Sequence, residues 1–335
     1  MQEDSLFSPG TPKVAFLGTA VIDRFFEVPH LPKPGDAAVI SSSHLAYGGR
    51  GAGSAATFAL LGGHAVLLSS VGEDFNSSGF EEFLIECGVD TTLVARETHD
   101  VCYSTNTYVE SPTGEAYTFL EPRSLGKGSV PTTHLDAIRS ADFLYVAGYY
   151  AHETIETCLD AAVSSGVATV VGLCNGLLPY VSDRLLKQLI ESATVVSFND
   201  LEWRLLRDRI GLGVADGLFE LSSSLACIYH TRGSTPGIGY LRDAESFEIP
   251  VRPVSECRST VGAGDTFLAA AIWARLVGCD YVMSARVGST LASIKVETEL
   301  GATIRLTQVP FMREELLPLL RQSGVSDYYD LGAQI

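Results

Sequence analysis

Ser259-Thr260-Val261-Gly262-Ala263-Gly264-Asp265-Thr266-Phe267 runs without a break into Leu268-Ala269-Ala270-Ala271-Ile272-Trp273-Ala274-Arg275-Leu276. The second stretch is made of good helix formers, so a glycine-rich turn opens directly into a helix. Such a junction gathers backbone N–H groups that have no intrahelical acceptor at the positive end of a helix dipole. It is a seat for an anion, or for negative charge that develops during a reaction. Asp265, at the start of the helix, reads either as a capping carboxylate or as a proton acceptor beside that seat. A second glycine loop running into a helix lies near the other end of the chain, Tyr47-Gly48-Gly49-Arg50-Gly51-Ala52-Gly53-Ser54-Ala55-Ala56-Thr57-Phe58-Ala59-Leu60-Leu61-Gly62. It follows the strand-like segment 36–47, and the next strand-like run, His64 to Val71, does not end on an acidic residue, which argues against a dinucleotide fold.

Between the two loops the pattern alternates. Lys13-Val14-Ala15-Phe16-Leu17-Gly18 is a short continuous apolar run of the kind buried on both faces. Further strands are predicted at 64–71, 142–147, 167–172, 194–198 and 225–230, with helices at 51–62, 77–87, Thr154–Ser165 and Ser182–Ser192. Strand, helix, strand repeated in this way implies parallel pairing with helices on both faces of the sheet. Residues 36–47 and 101–120, the latter with the turn Ser111-Pro112-Thr113-Gly114, break the rhythm and read as antiparallel strands of a small β lid. The expected organisation is one α/β domain over 13–310, with terminal extensions at 1–12 and 325–335.

Composition narrows the function. The 335 residues are 46% hydrophobic and 19% charged, as in a globular protein with a substantial core. Forty acidic against 23 basic residues give a formal charge of −17. With no Lys/Arg run to neutralise a series of phosphates, a nucleic-acid partner is not expected. The same charge repels small anions, so a phosphorylated ligand needs a local cationic site or a metal. The seven cysteines are scattered singly, without C-x-x-C spacing, and read as small core residues rather than disulfides or a zinc site. No segment offers about 20 uninterrupted apolar residues for a membrane span. Met1-Gln2-Glu3-Asp4-Ser5 is acidic and polar where a secretory signal is basic and then apolar, so the expected location is the cytoplasm.

The two glycine loops together resemble the signatures of the ribokinase-like (PfkB) carbohydrate kinase family: a Gly-Gly pair leading a small-residue helix that ends in Leu-Gly, and D-T-x-G-A-G-D-x-F. The resemblance runs from about Val14 to Gly301 and implies a three-layer α/β/α core, a mostly parallel sheet, a small β-sheet lid and an ATP-dependent kinase. It implies that Asp265 is the catalytic base, and that the N–H groups of Gly262, Ala263 and Gly264 are the anion hole for the transferring phosphoryl group. Asn199 and Glu202, in Asn199-Asp200-Leu201-Glu202, match the N-x-x-E element that organises water around Mg²⁺. The bland reading is a loop Asn and a first-turn Glu favoured by the helix dipole. Thr231 and Gly233 match a nucleotide-contacting strand end, against which stands an ordinary hairpin turn. Asp23 matches a carboxylate that accepts hydrogen bonds from the acceptor, and Gly49 and Ser54 lie where the substrate loop sits. Ser259 stands where the signature usually has an Asp associated with a monovalent-cation site, which argues against potassium activation.

The resemblance leaves the acceptor open between a nucleoside and a sugar. Phe198-Asn199-Asp200-Leu201-Glu202-Trp203, and Ser289 to Thr298 with Gly301-Ala302-Thr303, look like adenosine-kinase-like members. Phe25, Phe26, Tyr103 and Phe119 would provide an aromatic slot for a base, although aromatics on a lid strand also serve packing. A non-catalytic small-molecule-binding protein is the alternative from another class, and the intact Gly262-Ala263-Gly264-Asp265 argues against it. A lid with an exposed sheet edge also invites a homodimer.

Overall fold

The computed structural model describes residues 10–72, 74–96, 105–110, 116–120, 130–148, 152–176, 178–298 and 309–325. Its strands in chain order are β1 (Lys13–Gly18), β2 (Val21–Glu27), β3 (Ser42–Gly48), β4 (His64–Leu68), β5 (Ser70–Val71), β6 (Val89–Asp90), β7 (Ala95–Arg96), β8 (Thr105–Glu110), β9 (Ala116–Leu120), β10 (Phe143–Ala147), β11 (Ala168–Gly172), β12 (Ala193–Asn199), β13 (Cys227–Arg232), β14 (Thr235–Leu241) and β15 (Phe247–Ile249). Nine of them form one sheet in the order β15-β14-β13-β12-β11-β10-β1-β4-β6. Every pairing from β13 to β6 is parallel, while β14 and β15 close one edge antiparallel.

The buried strands explain the layers. Along β1, Val14 and Phe16 join one core with the helices Arg50–Leu60, Ala263–Leu276 and Tyr281–Thr298. Ala15 and Leu17 alternate into the other, with Thr132–Arg139, His152–Ser165 and Asp183–Ser192. Because successive side chains point to opposite faces, a strand that is apolar at every position needs a helical layer on each side. This is the expected three-layer α/β/α core.

The lid is a separate four-stranded sheet, β3-β2-β8-β9. It differs from the sequence expectation in two ways. The strand read at 36–47 occupies only Ser42–Gly48, and its antiparallel partner is β2, a segment read from sequence as the loop after the first strand. The alternation in Val21-Ile22-Asp23-Arg24-Phe25-Phe26-Glu27 puts Val21, Asp23 and Phe25 on the buried side, and a carboxylate in that position hides the strand pattern. β2 also runs parallel to β8, which antiparallel lid strands did not anticipate. β8 and β9 form the expected antiparallel pair. Their turn Ser111–Gly114, together with Tyr103, Gly301-Ala302-Thr303 and most of both terminal extensions, lies outside the described residues.

Smaller corrections follow from glycine and edge pairing. The helix expected over 77–87 is two helices, Asp74–Ser77 and Phe80–Glu86, separated at Gly79, whose φ of 79° no right-handed helix accommodates. The strand at 64–71 divides into β4 and β5, and β5 leaves the main sheet to pair with β7. Cys87, Cys158, Cys174, Cys227 and Cys279 are buried as expected, but Cys257 is exposed. No helix among the described residues is long and apolar enough to cross a membrane.

Candidate active site

The carboxyl ends of β1, β11, β12 and β13 converge on one side of the sheet, the edge where open α/β sheets hold their ligands. Two helices begin there. Gly49 precedes the helix Arg50–Leu60 with φ 93°, and a Cβ on it would stand 2.4 Å from the Thr19 carbonyl oxygen. Thr19 in turn ties the helix down: its carbonyl accepts the Ala52 N–H at 3.0 Å and its hydroxyl accepts the Arg50 N–H at 3.2 Å. The first glycine loop is therefore the means by which Arg50 is brought to the end of β1. Gly262 does the same for the helix Ala263–Leu276, capping it in the left-handed conformation at φ 78°.

At this second junction the space is open. A Cβ added to Gly264 would meet nothing within 4 Å, so the glycine leaves a cradle at the positive end of a 14-residue helix. Of the three expected donors, the Ala263 N–H already donates to the Thr260 carbonyl at 3.2 Å and is not a spare donor here. Asp265 follows in the first helical turn, buried to 9% exposure.

Arg50 joins the two junctions and was not singled out from sequence. Its Nε donates to Asp265 Oδ1 at 2.7 Å, its Nη1 donates to the Leu173 carbonyl at 2.5 Å, and the same Nη1 stands 3.9 Å from Glu202 Oε1. Burial works against the guanidinium charge, but Asp265, Cys174, Glu202 and Tyr145 outweigh it and hold Arg50 well above its usual pKa. Glu202 moves the other way from an ordinary salt-bridged carboxylate. Burial raises its pKa more than Arg50 and the Asn199 and Asn175 N–H groups lower it, and Asp265 adds repulsion. The available signal for Arg50 was its setting, a lone arginine in a helix of small residues, where a charge is not buried without a partner.

Asn199 and Glu202 form a capping box at the helix Asp200–Ile210. Asn199 Oδ1 accepts the Leu201 and Glu202 N–H groups, each at 2.9 Å, and Glu202 Oε2 accepts the Asn199 N–H at 2.8 Å. Glu202 Oε1 accepts the Asn175 N–H at 3.3 Å. Asn199 is thus the helix cap rather than a plain loop residue, Glu202 stands in the first turn as the bland reading has it, and the same carboxylate also faces Arg50. Each of its oxygens keeps a second lone pair, which suits a water-mediated contact to a metal. Among the described residues there is no group of three His, Cys, Asp or Glu that would hold a metal ion directly.

Thr231 is the strand partner of Asn199 across β12 and β13, and its hydroxyl donates to the Phe198 carbonyl at 3.4 Å. Gly233 sits in the hairpin between β13 and β14 at φ 62°, with open space around it, so the competing hairpin reading describes the backbone correctly. Asp200 anchors this strand end, accepting from His230 Nε2 at 2.7 Å with Arg232 Nε at 3.8 Å.

The remaining candidates lie deeper. Ser54 is fully buried in the first helix, and its hydroxyl donates to the Tyr145 hydroxyl at 3.1 Å beneath the mouth. Tyr145 is itself pushed up in pKa by burial, with Asp265 adding to the shift. Asp23 is 1% exposed on the inward side of β2, at the level of Ala46 and Asn106. The aromatic slot is altered: Phe25 lies between cross-strand neighbours His44 and Tyr108, stacked on both at 4.8 Å, and Phe119 is 59% exposed.

Comparison with known proteins finds relatives of the whole chain. A family model described as pfkB family carbohydrate kinase matches residues 11–307. The chain is 24% identical to a nucleoside kinase of Methanocaldococcus jannaschii over 86% of this chain and 91% of the relative, and 25% identical to a ribokinase of Haemophilus influenzae over 90% and 96%. The crystal structure of the Methanocaldococcus jannaschii nucleoside kinase superposes with a TM-score of 0.74 at 22% identity, over 91% of this chain and 99% of that one. The Burkholderia thailandensis nucleoside kinase in complex with inosine gives 0.75 at 17%, over 90% and 98%. Arabidopsis thaliana ribokinase complexed with ribose and ATP gives 0.72 at 20%, over 90% and 98%. With the family model spanning both glycine junctions and the sheet between them, this chain belongs to the pfkB family of carbohydrate kinases, and is a phosphotransferase.

Proposed function

We propose that the protein transfers the γ-phosphoryl group of ATP to a hydroxymethyl group of a nucleoside of the adenosine or inosine kind. The observation that carries the chemistry is the pairing of Asp265 with Arg50 at the open cradle of Gly264. Arg50 occupies one carboxylate oxygen of Asp265 and leaves the other to accept the proton of the acceptor hydroxyl. As that proton moves to Asp265, the hydroxyl oxygen bonds to the γ-phosphorus and the bond from phosphorus to the β,γ-bridging oxygen breaks, releasing ADP. Negative charge spread over the transferring group is met by the helix N-terminus at Gly262–Gly264 and by Arg50.

Thr231 and Gly233 receive the nucleotide at the end of β13. Asn199 and Glu202 would hold Mg²⁺ through water, and Mg²⁺ bound with ATP supplies neutralisation of the phosphate oxygens, which a chain of charge −17 needs. Asp23 and the Gly49 loop face the acceptor, while Ser54 acts from below through Tyr145. The acceptor class rests on the nucleoside kinases among the relatives, one of them solved with inosine. A sugar acceptor is the second reading, supported by the ribokinase relatives and by the stacking of Phe25 on His44 and Tyr108, which leaves that ring no free face for a base.

The expected location is the cytoplasm. Leu45 on β3 and Tyr117 and Phe119 on β9, exposed on the two edge strands of the lid, support a homodimer through the lid, to be read as twice the chain mass in sedimentation equilibrium. The function is tested by ATP consumption with Mg²⁺ against adenosine, inosine, other nucleosides, ribose and fructose, with Asp265→Asn as the control. Turnover of a nucleoside by the wild type alone supports the reading. Turnover of ribose or fructose alone replaces it by the sugar-kinase reading, and equal activity of Asp265→Asn removes Asp265 from the mechanism.

A further inference from the structure

Lys295 is fully buried, at 0% exposure among the largest enclosed side chains of the molecule. Lysine is almost never enclosed in this way unless paired, because its ammonium loses its hydration. Its Nζ donates to the Ser259 carbonyl at 3.1 Å. Ser259 is 4% exposed and stands three residues before Gly262, at the entry to the turn that forms the cradle.

Mechanical support of that segment does not require a lysine. The helix Tyr281–Thr298 that carries it already splints the approach to the turn with other groups. The Ser289 hydroxyl donates to the Pro250 carbonyl, and Ser293 donates to the Arg252 carbonyl at 3.4 Å. Glu297 accepts from Arg252 at 2.6 Å and from the Ser255 N–H at 2.7 Å, and the Arg258 N–H donates to the Val296 carbonyl at 2.7 Å. What a lysine can add to this support, as an ammonium, is charge.

That charge answers a deficit at the mouth. Arg50 is shared by Asp265 and Glu202, so these three groups alone do not make the site positive. The chain from Ser259 to Gly262 spans at most about 11 Å. Over such a distance a charge inside the protein is screened far less than one at the surface.

We propose that Lys295 is a built-in cation of the phosphoryl seat, a positioning residue that acts through the Ser259 carbonyl to hold the Gly262–Gly264 turn in its anion-binding form and to make it electropositive without a salt cation. The inference deepens the phosphoryl-transfer reading and rests on it.

The test is calorimetric binding of the magnesium complexes of AMP-PNP and ADP to the full chain, with tetramethylammonium as the only monovalent salt cation. Lys295→Met is expected to weaken AMP-PNP by about tenfold and ADP by less than about twofold, since the seat contacts the terminal phosphoryl group. Lys295→Ala is expected to regain AMP-PNP affinity when methylammonium or ammonium is added, a recovery that a packing role alone would not give. Unchanged AMP-PNP affinity in Lys295→Met, or equal loss of both nucleotides with no recovery in Lys295→Ala, would overturn the proposal. A measurement on the wild type covers the case in which both variants fail to fold. Exchanging tetramethylammonium for potassium is expected to leave its AMP-PNP affinity within about twofold, and a tenfold tightening would assign the cation role to the salt instead. A wild type that binds neither nucleotide overturns the phosphoryl-transfer reading itself, whereas loss confined to the variants concerns Lys295.

Discussion

Asp265 and Arg50 approach each other from opposite ends of the chain, and their pairing fixes what substitutions there should do. Asp265→Asn keeps the shape and removes the proton acceptor, so kcat should fall by about 10²–10⁴-fold with nucleotide affinity little changed. The check is steady-state kinetics beside calorimetric nucleotide binding. Arg50→Met removes the cation from between two carboxylates, which should cost about 3 kcal/mol in urea unfolding at neutral pH. The deficit should shrink on acidification. Burial already raises the pKa of Glu202, and loss of Arg50 removes an influence that lowers it. A carboxyl whose folded pKa exceeds its unfolded value opposes folding above the folded pKa and ceases to do so below the unfolded one. The stability gap between wild type and Arg50→Met should therefore narrow as pH falls toward the ordinary glutamate range, and a constant gap would mean that the loss is one of packing. Asp265 was legible in the sequence because a glycine turn and a run of helix formers flank it. Arg50 was not, because its partners Asp265, Glu202 and Leu173 lie more than 120 residues away and only folding brings them to it.

At the scale of the element, the two glycine junctions look alike in sequence and differ in what their glycines do. Gly49 is held at φ 93° against Thr19, where a Cβ would stand 2.4 Å from a carbonyl oxygen. Gly264 lies inside a helix with nothing in the way of a Cβ. Gly49→Ala should thus lose at least about 1–3 kcal/mol of stability from backbone strain. Gly264→Ala should keep or gain up to about 1 kcal/mol, since alanine is the better helix former. Activity should follow a different order: Gly264→Ala fills the cradle and should lower kcat by about 10²-fold or more while the protein stays folded. Thermal unfolding and turnover measured on the same two preparations check both halves, and a destabilised Gly264→Ala would show that the glycine serves the fold. The sequence pattern marked both helices correctly because small residues and helix formers cluster after each turn. It missed β2 because Asp23 faces inward between Val21 and Phe25, and it ran the helix through Gly79 because apolar spacing continues on both sides of that residue.

Across the whole molecule, what was readable was the interior. Strands apolar at every position, such as β1, demand two helical layers, and the parallel order from β13 to β6 follows from the helices between them. The antiparallel edge strand β15 and the lid pairing of β2 with β8 were not readable, since edge strands bury one face or less and are defined by partners rather than composition. Net charge acts at this same scale and sets the last expectation. A molecule of charge −17 repels Mg·ATP, itself negative, at distances where individual residues are not resolved. Raising the ionic strength from about 10 mM to about 150 mM shortens the Debye length from about 30 Å to about 8 Å and removes most of that repulsion. The association rate constant for Mg·ATP should therefore rise with salt, opposite to the behaviour of a site that steers its ligand. The dissociation rate should respond less, because it reports charges close to the bound phosphates, such as the partly buried Arg50, that counterions reach less well than the open surface. Stopped-flow binding at several salt concentrations separates the two rates. An association rate that falls with salt would show that the local field of the mouth already outweighs the charge of the whole.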